Sequence, residues 1–405
     1  MRAGEKSMKN TFAFTVALLM ASTAYARTID VAAGADAQTR LQEALILAEP
    51  GDVVQLGAGV FTLTDGLSLD VNNVVVRGAG MDATTLDFAG QQGAGEGLLV
   101  TSDDVVLRDF GIRDSKGDGI KSKGADRIVY LAIKVEWTGE PRATNGAYGI
   151  YPVESEHVLI DSAVVRGASD AGIYVGQSRN IVVRDSMAVQ NVAGIEIENS
   201  FNADVHDNIA TGNTGGILVF DLPGLPQQGG HSVRIFDNIV VNNMTPNFAP
   251  AGNIVASVPS GSGVIVMANR DVEIFDNVFE GNGTSNIMIT GYRYGAAPEG
   301  YNPLPVRIRA MDNMHGRTGF QPGLPGGAEM AAAFGGSLPP VMWDGAGSQI
   351  SIADSVAALS LNLPDLTQPR EAAQPAPVDL SAAATWERVA AVVLPASMEA
   401  AAAAE

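Results

Sequence analysis

From Val105 onward the chain repeatedly alternates large apolar and polar residues over a few positions, stops at an aspartate, and begins again. The segments VVLRD, HVLID, IVVRD, DVHDN, VRIFDN, VEIFDN and VRIRAMDN share this design and close on Asp109, Asp161, Asp185, Asp207, Asp237, Asp276 and Asp312. Successive spacings are 52, 24, 22, 30, 39 and 36 residues, and IVYLAIK, in phase at Ala132, divides the first into 23 and 29. A two-residue alternation predicts strands, because successive side chains of an extended chain point to opposite faces.

A second string keeps the same beat: DGIKSK, YGIYPV, AGIYVG, AGIEIE, GGILVF, SGVIVM and SNIMIT, with Gly119, Gly149, Gly172, Gly194, Gly216, Gly263 and Asn286 in register. Two short strands and a weaker third per period, joined by Gly, Asn and Asp turns, predict an all-β solenoid: a right-handed parallel β-helix of 22–24-residue coils with insertions. Helices are excluded by the period and by the glycines. The Asp-Asn pairs at 207–208, 237–238 and 276–277 read as turn ladders, since both residues tolerate left-handed backbone angles and can bond between coils.

A stack of open coils needs its ends covered. DAQTRLQEALILAEPGD predicts an amphipathic helix that turns Leu41, Ala44, Leu45 and Ala48 inward and stops at Pro50-Gly51. The expected organisation is a signal segment over 1–26, an N-terminal cap over 27–52, the β-helix over 53–316, and an irregular Gly/Pro/Ala-rich cap and tail over 317–405. In that last region QISIADSVAALSLNL offers a strand and a packing segment, WERVAAVVLP a short helix, and the final alanines a fraying end.

Composition narrows the setting. The basic start at Lys9, the apolar run TFAFTVALLMASTA and the small residues Ala24 and Ala26 predict export, with cleavage after Ala26, to the periplasm or beyond. Met8 is a natural start for such a segment, and no run is long enough for a membrane span. Loss of Arg2, Glu5, Lys6 and Lys9 takes the net charge from −20 to −22, which excludes nucleic acid as a partner. With no cysteine, the fold rests on packing and hydrogen bonds.

Alternation in the glycine-led strand sends Ile120, Ile150, Ile173, Val175, Ile195, Ile197, Ile217, Val219, Val264, Val266, Ile287 and Ile289 into the core. The opposite parity forms two outward columns: Lys121, Tyr151, Tyr174, Glu196, Leu218, Ile265, Met288, and Lys123, Val153, Gly176, Glu198, Phe220, Met267, Thr290. So many apolar residues on an outer face imply a cover. Insertions at WTGEPRATNGA, DLPGLPQQGGH and MTPNFAPAGNIVASVPSGS flank this strand as the walls of a groove.

An extended polysaccharide fits such a groove, with Tyr151 and Tyr174 offering ring faces and Phe220 lying beyond them. Lys121 and Lys123 can neutralise a uronate or simply solvate a sheet face; Glu196, Glu198 and Asp221 can bind calcium, serve as acid and base, or stand in water. His231 follows a loop and is a candidate ligand or base. No histidine pair has metal-ligand spacing, so no cofactor other than calcium is implied.

The coil repeat, the lid helix before GDVVQL and the glycine-led strand resemble the pectin-lyase-like superfamily over residues 36 to about 316. Residues 136–185, NVAGIEIENSFNADVHDN and TGGILVFDLPGLPQQGG are similar to a bacterial family of secreted parallel β-helix repeat proteins, a resemblance that implies the fold and no activity. YGIYPVE also resembles the YGFDPH string of mannuronan C5-epimerases, matching at Tyr148, Gly149, Pro152 and Glu154. Tyr151 and Val153 replace the aspartate and histidine, so that family's proton transfers do not carry over intact. A lyase pairing Tyr151 with Arg142 or Arg166 is the catalytic alternative, with Glu154 and Lys121 as further candidates. The third reading, a non-catalytic assembly partner of another envelope protein, uses the apolar end from Leu218 to Met288 as a docking surface, and a resemblance to periplasmic β-helix proteins of copper-site assembly accompanies it.

Overall fold

The computed structural model describes residues 26–93 and 95–403. The expected signal segment, apart from Ala26, lies outside the described residues.

The alternating segments form the expected right-handed parallel β-helix. One sheet of twelve strands carries the glycine-led strand of each coil, and a second of twenty strands carries the others. Stacking puts equivalent residues over one another: Ile150 pairs in register with Ile173, Ile173 with Ile195, Ile195 with Ile217, Ile217 with Val264, and Val264 with Ile287. All twelve side chains expected to point inward are 0–1% exposed. Each such branched side chain stabilises the stack by about 1.5–3 kcal/mol relative to exposure.

Turns are held by two asparagine columns. In the first, each side-chain amide donates forward from Asn208 to Asn238, Asn277 and Asn313, and Asn313 donates to Asp354. The aspartates before them stand outside at left-handed angles, with φ of 55°, 54° and 56° at Asp207, Asp237 and Asp276. A second column runs from Asn191 through Asn213, Asn243 and Asn282 to Asn286. On the middle coils it leaves no room beside the heading glycine: a Cβ on Gly172 would lie 2.6 Å from the Asn191 amide nitrogen, and one on Gly194 2.8 Å from that of Asn213, while at Gly119 and Gly149 the side chains of Val135 and Val165 fill the same place.

Helix α1, Ala37–Leu47, closes the front with Leu41, Ala44 and Leu45 buried. At the rear the ladder passes the boundary expected at residue 316: Val341–Trp343, Ser348–Ile352 and Ala358–Ser360 add further parallel rungs, interrupted by α2, Gly327–Ala333. Ala376–Val378 then pairs antiparallel and ends the sheet.

Among the described residues the terminal segment packs on the coils as far as Ala403, and WERVAAVVLP is not helical. It runs extended back across the twenty-stranded sheet, its Arg388 bonded to Glu273 and its Val392 N–H donating to Asp204. Helix α3, Ala396–Ala403, follows, seating Met398 and preceding Leu394 against Val129, Leu131, Leu159 and Val182, while Glu399 meets Arg184. Buried polar partners take the place of the intrahelical bonds the sequence offered.

Candidate functional site

The glycine-led strands Ile120–Lys123, Tyr148–Val153, Ala171–Gly176, Ala193–Glu198 and Gly215–Phe220 lie side by side, so their outward side chains form a ridge. Tyr151 and Tyr174 are neighbours as expected, edge to face with centroids 4.9 Å apart. Tyr148 completes a triad at 4.5 Å from Tyr151 and 4.7 Å from Tyr174.

The ridge is not the open groove expected from parity. Tyr174, Phe220 and Asp221 are buried, and Glu196 and Glu198 are 1% and 9% exposed rather than wet. Val255 and Val258, from the insertion before Gly263, pack over Tyr174 and Leu218, and Tyr301 donates from its hydroxyl to the Asp221 carbonyl at 2.6 Å. Of the expected walls, this insertion roofs the ridge. The loop after Phe220 instead folds on the turns, where Gln227 donates to the carbonyls of Ser178 and Asn199.

Three carboxyl groups, of Asp170, Glu196 and Glu198, are buried on this face, and Asp118 stands half-buried near them. Tyr174 donates to Glu198 at 2.6 Å, and its ring lies across Gly176, where a Cβ would come within 2.4 Å of it. Glu196 Oε2 is buried with no hydrogen-bond partner. Burial, then Glu198 and Asp170, push the Glu196 carboxyl well above the usual range. Burial also raises Glu198 to about 7 against the Tyr174 hydrogen bond. Asp170 is raised to about 6 by burial, opposed by the 3.0 Å bond donated from Asn253. Asp118 is raised to about 6 by burial against the charge of Lys121. Burial raises the phenols too, Tyr151 to about 12. Desolvation thus favours protonated acids here, and neighbouring carboxylates share protons.

Lys121 stands 3.2 Å from Glu96 and 3.9 Å from Asp118, with its ammonium 4.9 Å from the centre of the Tyr151 ring. Lys123 pairs instead with Glu154 at 3.6 Å, near the surface, and Val153 is buried. The two arginines proposed for Tyr151 are engaged elsewhere: Arg142 donates to Asn145, and Arg166 to Gln190 and to the carbonyls of Trp137 and Gly139. His231 lies on the other sheet, stacked on Phe201 at 4.5 Å, so it is no partner of the tyrosines. The Asp221 carboxylate is held by the N–H groups of Gly229 and Gly230 and closes a loop. Among the described residues, no group of three or more His, Asp or Glu side chains is arranged to hold a metal ion, and no helix is long and apolar enough to cross a membrane.

Asp118, Tyr148, Asp170 and Asn253 were missed as site residues. Asp118 and Tyr148 each stand immediately before the heading glycine, Asp170 two positions before it, and that repeated placement is the signal parity conceals.

Residues 72–224 match the family model for a right-handed beta helix region. No curated protein sequence matches the chain. Among solved structures, the A-module of the mannuronan C-5 epimerase AlgE4 of Azotobacter vinelandii is 14% identical, with 80% of this chain and 92% of that one covered at a TM-score of 0.50. The DFA-IIIase of Arthrobacter chlorophenolicus A6, in complex with GF2, is 12% identical over 78% of this chain and 92% of its own, at 0.51. Likeness at such identity concerns the fold.

Proposed function

We propose that this right-handed parallel β-helix, of the pectin-lyase-like kind, is an exported carbohydrate-active enzyme that uses Glu196 and Glu198 for acid–base chemistry on a glycosidic bond. The carrying observation is the buried cluster of Glu196, Glu198 and Asp170 beside three tyrosines, with half-buried Asp118 near Asp170 and a carboxyl oxygen of Glu196 left unpaired. A binding face has no use for buried, proton-sharing acids, which weaken the fold; perturbed acids in a covered site fit catalysis.

Glu196 and Glu198 alternate along one strand, placing their Cα atoms about 6.5 Å apart by strand rise. A pair of carboxyl groups on one face is the equipment of glycoside cleavage. Glu196, the more strongly desolvated, supplies the proton to the leaving oxygen. Glu198, oriented by Tyr174, acts as base or nucleophile. The half-buried rings of Tyr148 and Tyr151 form the platform for a sugar. Access requires the roof to lift, and the Asn253–Asp170 bond is the latch that must part. Because the carboxyl groups outnumber the cations beside them among the described residues, where Lys121 is itself paired with Glu96 and Asp118, a neutral glycan suits the site better than a uronate.

The test is a panel of neutral and acidic glycans with the mature protein, following both new reducing ends and the ultraviolet absorbance of unsaturated uronates. Reducing ends from a neutral glycan, lost in Glu196→Gln and in Glu198→Gln, are the expected result. Unsaturated uronates would replace this reading with a lyase. Saturable glycan binding without turnover would leave a binding module, and co-purification with an envelope protein without glycan binding would leave an assembly role.

A further inference from the structure

Beyond the roof, on the later rungs of the same face, the protein encloses a second space that the acid–base reading does not use. Its cavity measures about 580 Å³, within the range that takes small-molecule ligands. Its floor is the outward column continued past Phe220, and α2 with the segment 361–375 forms the far wall. Met267, Met288, Met330 and Met342 line it together with Phe334 and Trp343. Methionines are unbranched and polarisable, so they adapt to a flexible apolar chain rather than to one rigid shape.

The lining also carries polar residues, two arginines among them. Arg293 reaches the lining, but its guanidinium is consumed by Asp344 at 3.0 Å and by the carbonyls of Leu363 and Asp365. Arg370 is different. Among the described residues it makes no ion pair; it donates only to the Tyr294 hydroxyl at 3.0 Å, and that hydroxyl meets Ser257 Oγ at 2.5 Å. These three groups, at least partly exposed, converge at one edge of the cavity and offer N–H and O–H donors around a positive charge. Glu371 lies beside them in the lining, which limits the charge the edge accepts to a single negative one.

We infer that this cavity binds a long-chain monocarboxylate, with its hydrocarbon tail against the methionines and its carboxylate on Arg370, Tyr294 and Ser257. A guanidinium flanked by two hydroxyls satisfies a carboxylate's acceptor sites. The tail gains by leaving water for a poorly hydrated apolar space.

Hexadecanoate is the probe, with hexadecanol as its uncharged counterpart, in calorimetric titrations of the mature protein. Expected are saturable, equimolar binding of hexadecanoate and binding of hexadecanol at least about tenfold weaker, the size of effect a charged hydrogen-bonding pair produces. Arg370→Ala should bring hexadecanoate to the level of hexadecanol. Ala333→Trp and Met330→Trp, both on the α2 wall, should each abolish binding of the two probes, with unchanged unfolding midpoints showing that the fold survives. The inference is overturned if hexadecanoate does not bind, if hexadecanol binds equally well, or if folded α2 variants bind as before. Glycan turnover is read separately and is unaffected by any of these outcomes.

Discussion

Glu196 is an acid that the fold holds against its own stability. Its carboxyl is buried beside Glu198 and Asp170 and lacks a partner on Oε2, and a buried unsatisfied polar group costs about 1–3 kcal/mol. Because the carboxyls of Glu196, Glu198, Asp118 and Asp170 are all raised on folding, the native state binds more protons than the unfolded chain above the ordinary carboxylate range. Their contribution is therefore full below about pH 4 and declines as pH rises through 6 and 7. Glu196→Gln should flatten that decline and raise the unfolding midpoint at pH 8 while removing turnover; denaturant titrations from pH 4 to 8 check it, and an unchanged slope would mean the cluster is not desolvated. Gly176→Ala acts on the same group from the side. Its Cβ would fall 2.4 Å from the Tyr174 ring and hydroxyl, so Tyr174 must leave Glu198, with a loss of about 1–3 kcal/mol from overpacking, readable by thermal unfolding. Parity made Tyr151, Tyr174, Glu196 and Glu198 legible as one outward face. Tyr148 and Asp118 escaped because each stands three positions before the outward residue it meets, Tyr151 and Lys121, an odd step that strict alternation assigns to the opposite face.

At the level of the strand and turn, the asparagine columns show how one amide can serve two coils. Asn213 accepts from the Asn191 backbone and side chain and donates to the Ala188 carbonyl and to Asn243. Both columns donate toward the rear. The second reaches Asn286, which contacts His315 Nδ1 at 3.2 Å, and His315 Nε2 lies 3.0 Å from Asp354, the carboxylate that also terminates the first. A buried anion is a fitting terminus for two files of donors. Asn213→Ala removes all four bonds and should destabilise the protein by about 3 kcal/mol or more; Asn213→Asp keeps the acceptor and should fall between, as equilibrium unfolding would show. The column through Asn208 was legible because each member follows an aspartate in a DN pair. The one through Asn191 was not, since QN, GN, NN and GN precede it and only the stacked turns bring these residues into line.

Over the molecule as a whole, the two broad faces are finished differently: the apolar outward columns announced a cover on the glycine-led sheet, while nothing in the repeat announced the one on the other sheet. The rhythm in the sequence specifies coil on coil, but a segment that crosses coils makes its contacts one per rung and has no period to read. On the glycine-led sheet the insertion before Gly263 and the segment around Tyr301 form the roof. On the other sheet the terminal strap meets Arg309, Glu273, Asp204 and Arg184 in turn, moving from late rungs to early ones. It covers the outward patch of Val129, Leu131, Leu159 and Val182 with Leu394 and Met398. Sequence reading made WERVAAVVLP a short helix and the final alanines a fraying end, because neither stretch carries the two-residue alternation. A chain ending at residue 385 should therefore lose two things at once: the apolar cover, and the N–H and guanidinium donors that Glu273 and Asp204 receive from Val389, Val392 and Arg388. Arg309 and Arg234 keep those carboxylates paired, so the coils should still form, with a lower unfolding midpoint and a bared patch prone to self-association. Size-exclusion chromatography against concentration checks it: the shortened chain shifts toward larger species where the full chain does not, and Leu131→Gln with Leu159→Gln in the shortened chain reverses the shift. An unchanged midpoint and elution would show that the strap is ornament rather than cover.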